Sequence, residues 1–435
     1  MLRKIFKDSL PTMIAVMLAS MYAVIDGLFV GYTTGDIGLA AINIAWPITA
    51  IIAACGIGIG TGGSVLYSYQ IGKNNEEVAR KTYGTLCAML GILGAFLVVF
   101  LQLYPMLLRL LGASGEIYIE AEKYSSIIVM GAMVQVLGTG LLPVLRNMGM
   151  SMQAMCSMVL GLVANILVNY YLMFVVELGI QGAAYGTVIA QSLVMCSSLI
   201  MLYFKSKEKL YVSWDLQIVK KIIQSGLTPF GIYLAPSITL IFTNWQCIRY
   251  GGDPVVACYA VISYIAFPVQ AMLAGIGDGT QPLLSYYYGA GQAREVKKIK
   301  RISQYMLVVI GSICSIICIV TSQYIGIWFG ISEQANTYFV TAMIITAISY
   351  IAIGFTKYNV AYLNATMQSE RAVKFTYIES LVINPTIVFL LPIGLGTMGI
   401  WWTATVTAII VLVIIKVTAK KQERIEARKN RSKEE

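Results

Sequence analysis

The chain contains no histidine, and that one absence narrows its chemistry. Histidine is the side chain whose ordinary titration lies near neutrality and is the commonest metal ligand. No HExxH zinc site and no imidazole proton relay can be built. Charge is scarce as well: Asp, Glu, Lys and Arg make up 12% of the residues, against about a quarter in soluble globular proteins. The eight cysteines, from Cys55 to Cys318, lie in apolar stretches without CxxC spacing. They read as small buried hydrophobes, not as disulfides or a metal site. GxSxG is missing too, and no loop is long enough for a catalytic domain, so a membrane-embedded enzyme is a weak alternative.

What is present is hydrocarbon, at 58% of the residues. It comes in runs of roughly 20 to 33, and about 18 suffice to cross a bilayer as a helix. Twelve spans are expected: Leu10–Tyr32, Leu39–Tyr67, Tyr83–Leu108, Tyr124–Leu145, Met152–Val176, Gly182–Phe204, Ile222–Ile248, Val255–Tyr287, Gln304–Phe329, Tyr338–Leu363, Val373–Leu391 and Met398–Val417. The opening MLRKIFKDSLPTMIAVM starts like a signal peptide, but its apolar run is too long and no convincing cleavage site follows, so it reads as the first span.

The net charge of +10 is not a nucleic-acid signature, because its placement follows the membrane. With both termini on the cytoplasmic side of the cell membrane, every one of the 31 Lys and Arg except Arg109, Lys123 and Arg249 falls on the inner side. That is the positive-inside bias, and one missed span would scramble it. The tail KKQERIEARKNRSKEE, residues 420–435, reads as a solvated helical end, with weak attraction to anionic lipid as the alternative.

The chain also repeats itself. GTGGSVLYSYQIGKNN from Gly60 and GDGTQPLLSYYYGAGQ from Gly277 stand 217 residues apart and share Gly60/Gly277, Gly62/Gly279, Leu66/Leu283, Ser68/Ser285, Tyr69/Tyr286 and Gly72/Gly289. In the same register Asn147 matches Asn364, and the turn Gly179 to Gly182 matches Gly396 to Gly399. Separated landmarks in one register indicate duplication of a whole unit. The expected organisation is a six-helix lobe over 1–207, a second over 208–419 and the basic tail over 420–435, all α. An even number of spans per copy makes the repeats parallel, the arrangement in which transporter halves rock around a central site.

Spans two and eight each combine a proline, Pro47 or Pro268, with a crowd of glycines that includes Gly60, Gly62, Gly277 and Gly279. Paired Gly/Pro-interrupted spans point to a substrate site and a hinge. Close helix packing is the alternative reading. Gly58-x-Gly60-x-x-Gly63 also spells a dinucleotide fingerprint, but no β-strand precedes it.

A carboxylate at the centre of a spanning helix costs about 2.5–3.5 kcal/mol to insert, so each one needs a reason. Three sit well within spans: Asp26, Asp278 and Glu379. Asp26 in SMYAVIDGLFVGY is the foremost candidate, Asp278 replaces a small residue in the Gly-rich eighth span, and Glu379 is close enough to the inner surface to snorkel. Neutral polar residues gather in the first half: Tyr22 one turn before Asp26, Asn43 in span two, Asn165 and Asn169 on one face of span five, and Thr187 in span six. Each alone would serve helix-to-helix hydrogen bonding. Together they look like a site.

At these residues the sequence resembles the multidrug and toxic compound extrusion (MATE) family over nearly its whole length. The resemblance is carried by Asp26 with Gly31, the AWPI proline of span two, the GxGxGG segment leading to Gly72, and GIGDGTQPLLSYYYGA, which is similar to the MepA-like branch. It implies a V-shaped bundle of two six-helix lobes and an antiporter that exports amphipathic, often cationic, compounds against an H⁺ or Na⁺ gradient, as a monomer without a cofactor or resident metal. It also implies that Tyr22, Asp26, Asn165, Asn169 and Thr187 are the first-lobe cation site. Many members have Asp where this chain has Asn169, which leaves Asp26 as that site's one carboxylate, and the acids that other members carry in spans seven and ten are missing. A lipid-linked-precursor flippase of the same fold is the rival expectation. It would need basic residues for a pyrophosphate, and no Lys or Arg sits in the middle of a span.

Overall fold

The computed structural model describes residues 2–205, 213–328 and 333–434. Among them, eleven helices are long and apolar enough to cross a membrane, and a bent pair makes a twelfth span. In chain order the spans are Leu2–Gly35, Ile37–Gly72, Glu76–Leu110, the pair Gly115–Met130 and Ala132–Asn147, Ser151–Val175, Ile180–Phe204, Leu216–Gly252, Pro254–Gly289, Ala293–Gly326, Asn336–Ala365, Ser369–Leu395 and Thr397–Thr418. Most outrun their apolar cores, because charged ends such as Arg3, Lys4 and Lys7 continue the first helix outward. The last helix runs on to Glu434, so residues 420–434 are helical. The expected boundary between 207 and 208 lies outside the described residues.

Span four departs most from expectation. Its two halves meet at 59° around Gly131. There the Gln135 side chain donates from Nε2 to the Ile128 carbonyl over 2.8 Å, giving a buried partner to a backbone group at the break. Backbone groups left open inside an apolar medium need such substitutes.

The duplication is visible in the backbone. Positive φ recurs at the same places in both copies: Gly35 and Gly252, Asn74 and Gly291, Gly179 and Gly396. Each pair is one turn of the repeat, and each turn needs a left-handed residue.

The chain forms two compact units, and they are divided differently from the repeats. The first comprises Met1–Leu234, Ala274–Ser303 and Tyr362–Glu370. Within it, glycines of spans two and eight pack on neighbouring backbone in matched fashion: a Cβ on Gly72 would run into the Tyr286 carbonyl, and one on Gly289 into the Tyr69 carbonyl. Likewise Gly62 lies on Gly226 of span seven, while Gly279 lies on Ser9 of span one. So the glycines of one copy's second helix receive the first helix of the other copy, a small-residue contact that lets backbones approach.

The second unit comprises Ala235–Leu273, Gln304–Ala361 and Arg371–Glu435. Inside it Ser315 Oγ donates to the Ala347 carbonyl over 2.6 Å, and the Phe242 and Phe389 rings meet edge to face at 5.7 Å. Span eleven loosens into a π-turn over Glu379–Ile383.

Candidate functional site

The residues singled out in spans one, five and six converge in the first unit. Asn169 donates from Nδ2 to Asp26 Oδ1 over 2.6 Å, and Thr187 Oγ1 donates to Asp26 Oδ2 over 3.2 Å. Both oxygens of the carboxylate are therefore held by neutral donors from two other helices. Asn165, one helical turn before Asn169, is fully buried. It stands within electrostatic reach of the Asp26 carboxylate but makes no hydrogen bond of good geometry. The Tyr22 hydroxyl and Asn169 Oδ1 are likewise buried with no hydrogen-bond partner among the described residues. No Lys or Arg among the described residues forms an ion pair with Asp26.

The arrangement is thus a buried carboxylate surrounded by amide and hydroxyl oxygens that are not fully occupied. Buried polar groups are normally satisfied, and a buried charge without a compensating partner is strongly unfavourable. A proton on Asp26, or a small hard cation among these oxygens, would relieve both conditions.

Sequence reasoning missed some of what shapes this site. A Cβ on Gly186 would overlap Asn169 Oδ1, so the glycine next to Thr187 provides the room in which Asn169 sits. A Cβ on Gly161 would lie 2.5 Å from the Tyr22 hydroxyl. Tyr124 of span four is buried and also within electrostatic reach of Asp26. In the second repeat the position equivalent to Asp26 is Thr243, whose hydroxyl donates to its own helix at the Thr239 carbonyl over 2.8 Å. The carboxylate is present in one copy only.

The other candidates lie apart from this cluster. Asn43 has an exposed side chain, and none of the hydrogen bonds around Asp26 reaches it. Asp278 faces Arg146 at 4.0 Å, so its charge has a basic partner. Glu379 opens the π-turn of span eleven and faces the charge of Lys357, within the second unit. Pro47 and Pro268 lie inside continuous helices, and the non-helical backbone of those chain stretches is at Gly35 and Gly252. Gly60 packs directly on Gly140, where an added Cβ would lie 2.7 Å from its Cα. Gly277 is buried, and its carbonyl accepts the Thr280 hydroxyl over 3.2 Å.

The family described as MatE matches the chain twice, over residues 11–171 and 231–390. The multidrug export protein MepA of Staphylococcus saprophyticus subsp. saprophyticus is 25% identical over 96% of this chain and 95% of its own length. Among solved structures, a MATE in complex with MaL6 is similar with a TM-score of 0.88 at 23% identity, over 97% of each chain. An outward-facing multidrug resistance MATE family transporter of the MOP superfamily is similar with a TM-score of 0.88 at 22% identity, again over 97% of each.

Proposed function

This chain belongs to the MatE family, matched in each of its two halves, and on that premise we propose that it is a secondary active multidrug efflux transporter whose driving ion, H⁺ or Na⁺, acts at Asp26. The observation that carries the proposal is the Asp26 carboxylate itself, held by Asn169 and Thr187 with no basic partner among the described residues. An intramembrane carboxylate of this kind marks an ion pathway. The exported compounds are small, amphipathic and often cationic, in keeping with the export function named for the MepA relative.

Coupling follows from competition. A cationic compound is attracted by the charged form of Asp26, whereas a proton or Na⁺ removes that charge. Binding of ion and compound then oppose each other, and the opposition is necessarily reciprocal. The protein would work as a monomer in the cell membrane with both termini cytoplasmic, supported by the distribution of its Lys and Arg.

The test uses purified protein in liposomes with pH and sodium gradients imposed separately. Wild-type protein should move a fluorescent organic cation under at least one of the two gradients. Asp26→Asn should insert normally, since losing a membrane carboxylate lowers insertion cost, yet lose gradient-driven movement. Full transport by Asp26→Asn with unchanged ion dependence would remove Asp26 from the mechanism.

A further inference from the structure

A second polar cluster, separate from Asp26, joins spans two, four and eight at the end of the first unit that carries the N-terminus. Asn147 and Gln281 exchange amides: Asn147 Nδ2 donates to Gln281 Oε1 over 2.9 Å, and Gln281 Nε2 donates back to Asn147 Oδ1 over 3.1 Å. Ser68 Oγ donates to the same Asn147 oxygen over 2.6 Å, and Gln281 Nε2 also reaches Ser285 Oγ at 3.0 Å. One residue before Asn147, Arg146 faces Asp278 at 4.0 Å. The reciprocal Gly72–Tyr286 and Gly289–Tyr69 backbone contacts lie at the same end, where Lys4 of span one sits over the Tyr287 ring. All these residues belong to one compact unit, although Gln281, Asp278 and Ser285 come from the second repeat.

The chemistry of this seam differs from that of a core. A contact between packed aliphatic knobs resists separation, because parting them forfeits burial and leaves cavities. Here the surfaces in contact are glycine backbone, which has no knobs to withdraw, and polar side chains, which exchange protein partners for water at small net cost. Among the described residues the amide pair is not repeated at the equivalent positions. The repeat equivalent of Gln281 is Ser64, which is too short to cross and donates instead to the Gly60 carbonyl over 2.6 Å. The repeat equivalent of Asn147 is Asn364, whose Oδ1 accepts from Ser369, five residues on, over 3.0 Å.

We propose that the Asn147–Gln281 amide pair, braced by Ser68, Ser285 and the Arg146–Asp278 ion pair, is the latch that holds the two repeats together at the end that carries the N-terminus and that opens once in every transport cycle. Asn147 and Gln281 are positioning residues for the transport reaction and touch neither ion nor cargo. The inference rests on the efflux reading only in requiring that this end open, and it is independent of which ion drives the exchange.

The experiment uses the full chain in membrane vesicles with its native cysteines replaced and a reporter at Ser64→Cys, a buried position one turn before Ser68. A membrane-impermeant thiol reagent is applied from the side of the N-terminus, with no ion gradient imposed. Gln281→Leu, which keeps the side-chain bulk but cannot pair with Asn147, should speed labelling about tenfold, the ratio expected from losing one to two neutral hydrogen bonds. Should Gln281→Leu fail to fold, Asn147→Ser is measured in its place. In a second arm, Tyr69→Cys with Tyr288→Cys, whose parent rings are 6.1 Å apart, is oxidised to lock the seam. Efflux should stop on oxidation and return on reduction. Unchanged labelling in the latch variants, or undiminished efflux by the cross-linked protein, would overturn the proposal. The labelling arm needs no driving ion, so failure of the Asp26 assignment would leave its result readable.

Discussion

The Asn169 amide reaches Asp26 Oδ1 over 2.6 Å, while the Thr187 hydroxyl stands at 3.2 Å from Oδ2. The two donors are therefore unequal. Hydrogen bonds to an ionised group contribute about 1.5–3 kcal/mol and weaken with length. Asn169→Ala should shift the ion concentration for half-maximal transport by roughly tenfold or more, with a smaller shift for Thr187→Ala. Titrating transport against the driving ion in liposomes checks the ranking, and an equal or reversed order would show that the geometry around Asp26 does not set ion affinity.

Gly60 tests whether the glycines of span two are hinges or contacts. An added Cβ there meets backbone atoms of Gly140, which cannot move aside as a side chain would, whereas Gly91 of span three has open space around it. Gly60→Ala should lower stability by about 1–3 kcal/mol through overpacking. Gly91→Ala should be neutral or stabilising by up to about 1 kcal/mol, since alanine is the better helix former. Thermal melting in detergent separates the two. Normal stability with lost efflux in Gly60→Ala would favour the hinge.

The topology prediction rests on the basic residues. Cysteine labelling in intact cells, on a cysteine-free background, should reach a cysteine placed at Asp36 or Glu333 and miss one at Asn74 or Ala293. Labelling of the Asn74 position from outside would invert the assignment of faces, and with it the direction in which the latch opens.

Asp26, Asn169 and Thr187 were legible in the sequence because a polar side chain in an apolar span has few reasons to be there, and helical spacing put the two asparagines on one face. The turn of the repeat at Gly179 and Gly396 was legible as a glycine pair at one offset, and the backbone has positive φ at both; the matching pair Gly35 and Gly252 emerges only from the backbone. What escaped was pairing across the chain. Arg146 reads as one more inner-side base, so nothing in the local sequence shows that it neutralises Asp278 from 132 residues away. The break at Gly131 was hidden inside an uninterrupted apolar run, since hydropathy does not record whether a helix continues straight. Nothing in the local sequence marks Gly186, because its role is to leave space for a side chain on another span.

That last residue gives the sharpest test of the site. A methyl group at position 186 would overlap Asn169 Oδ1, so Gly186→Ala must push the Asn169 amide away from Asp26 or force the two helices apart. If the amide is what yields, Gly186→Ala should weaken ion dependence about as much as Asn169→Ala does, with protein yield and melting little changed. The double variant Gly186→Ala/Asn169→Ala should then be no worse than Asn169→Ala alone, because the smaller alanine leaves nothing for the new methyl to strike. Residues acting through one shared contact show such non-additivity, whereas independent effects add to within about 0.5 kcal/mol. The cycle is read from the ion titration of transport in liposomes. Additive losses would mean that Gly186 serves helix packing in its own right, and that the position of the Asn169 amide beside Asp26 is not what governs coupling.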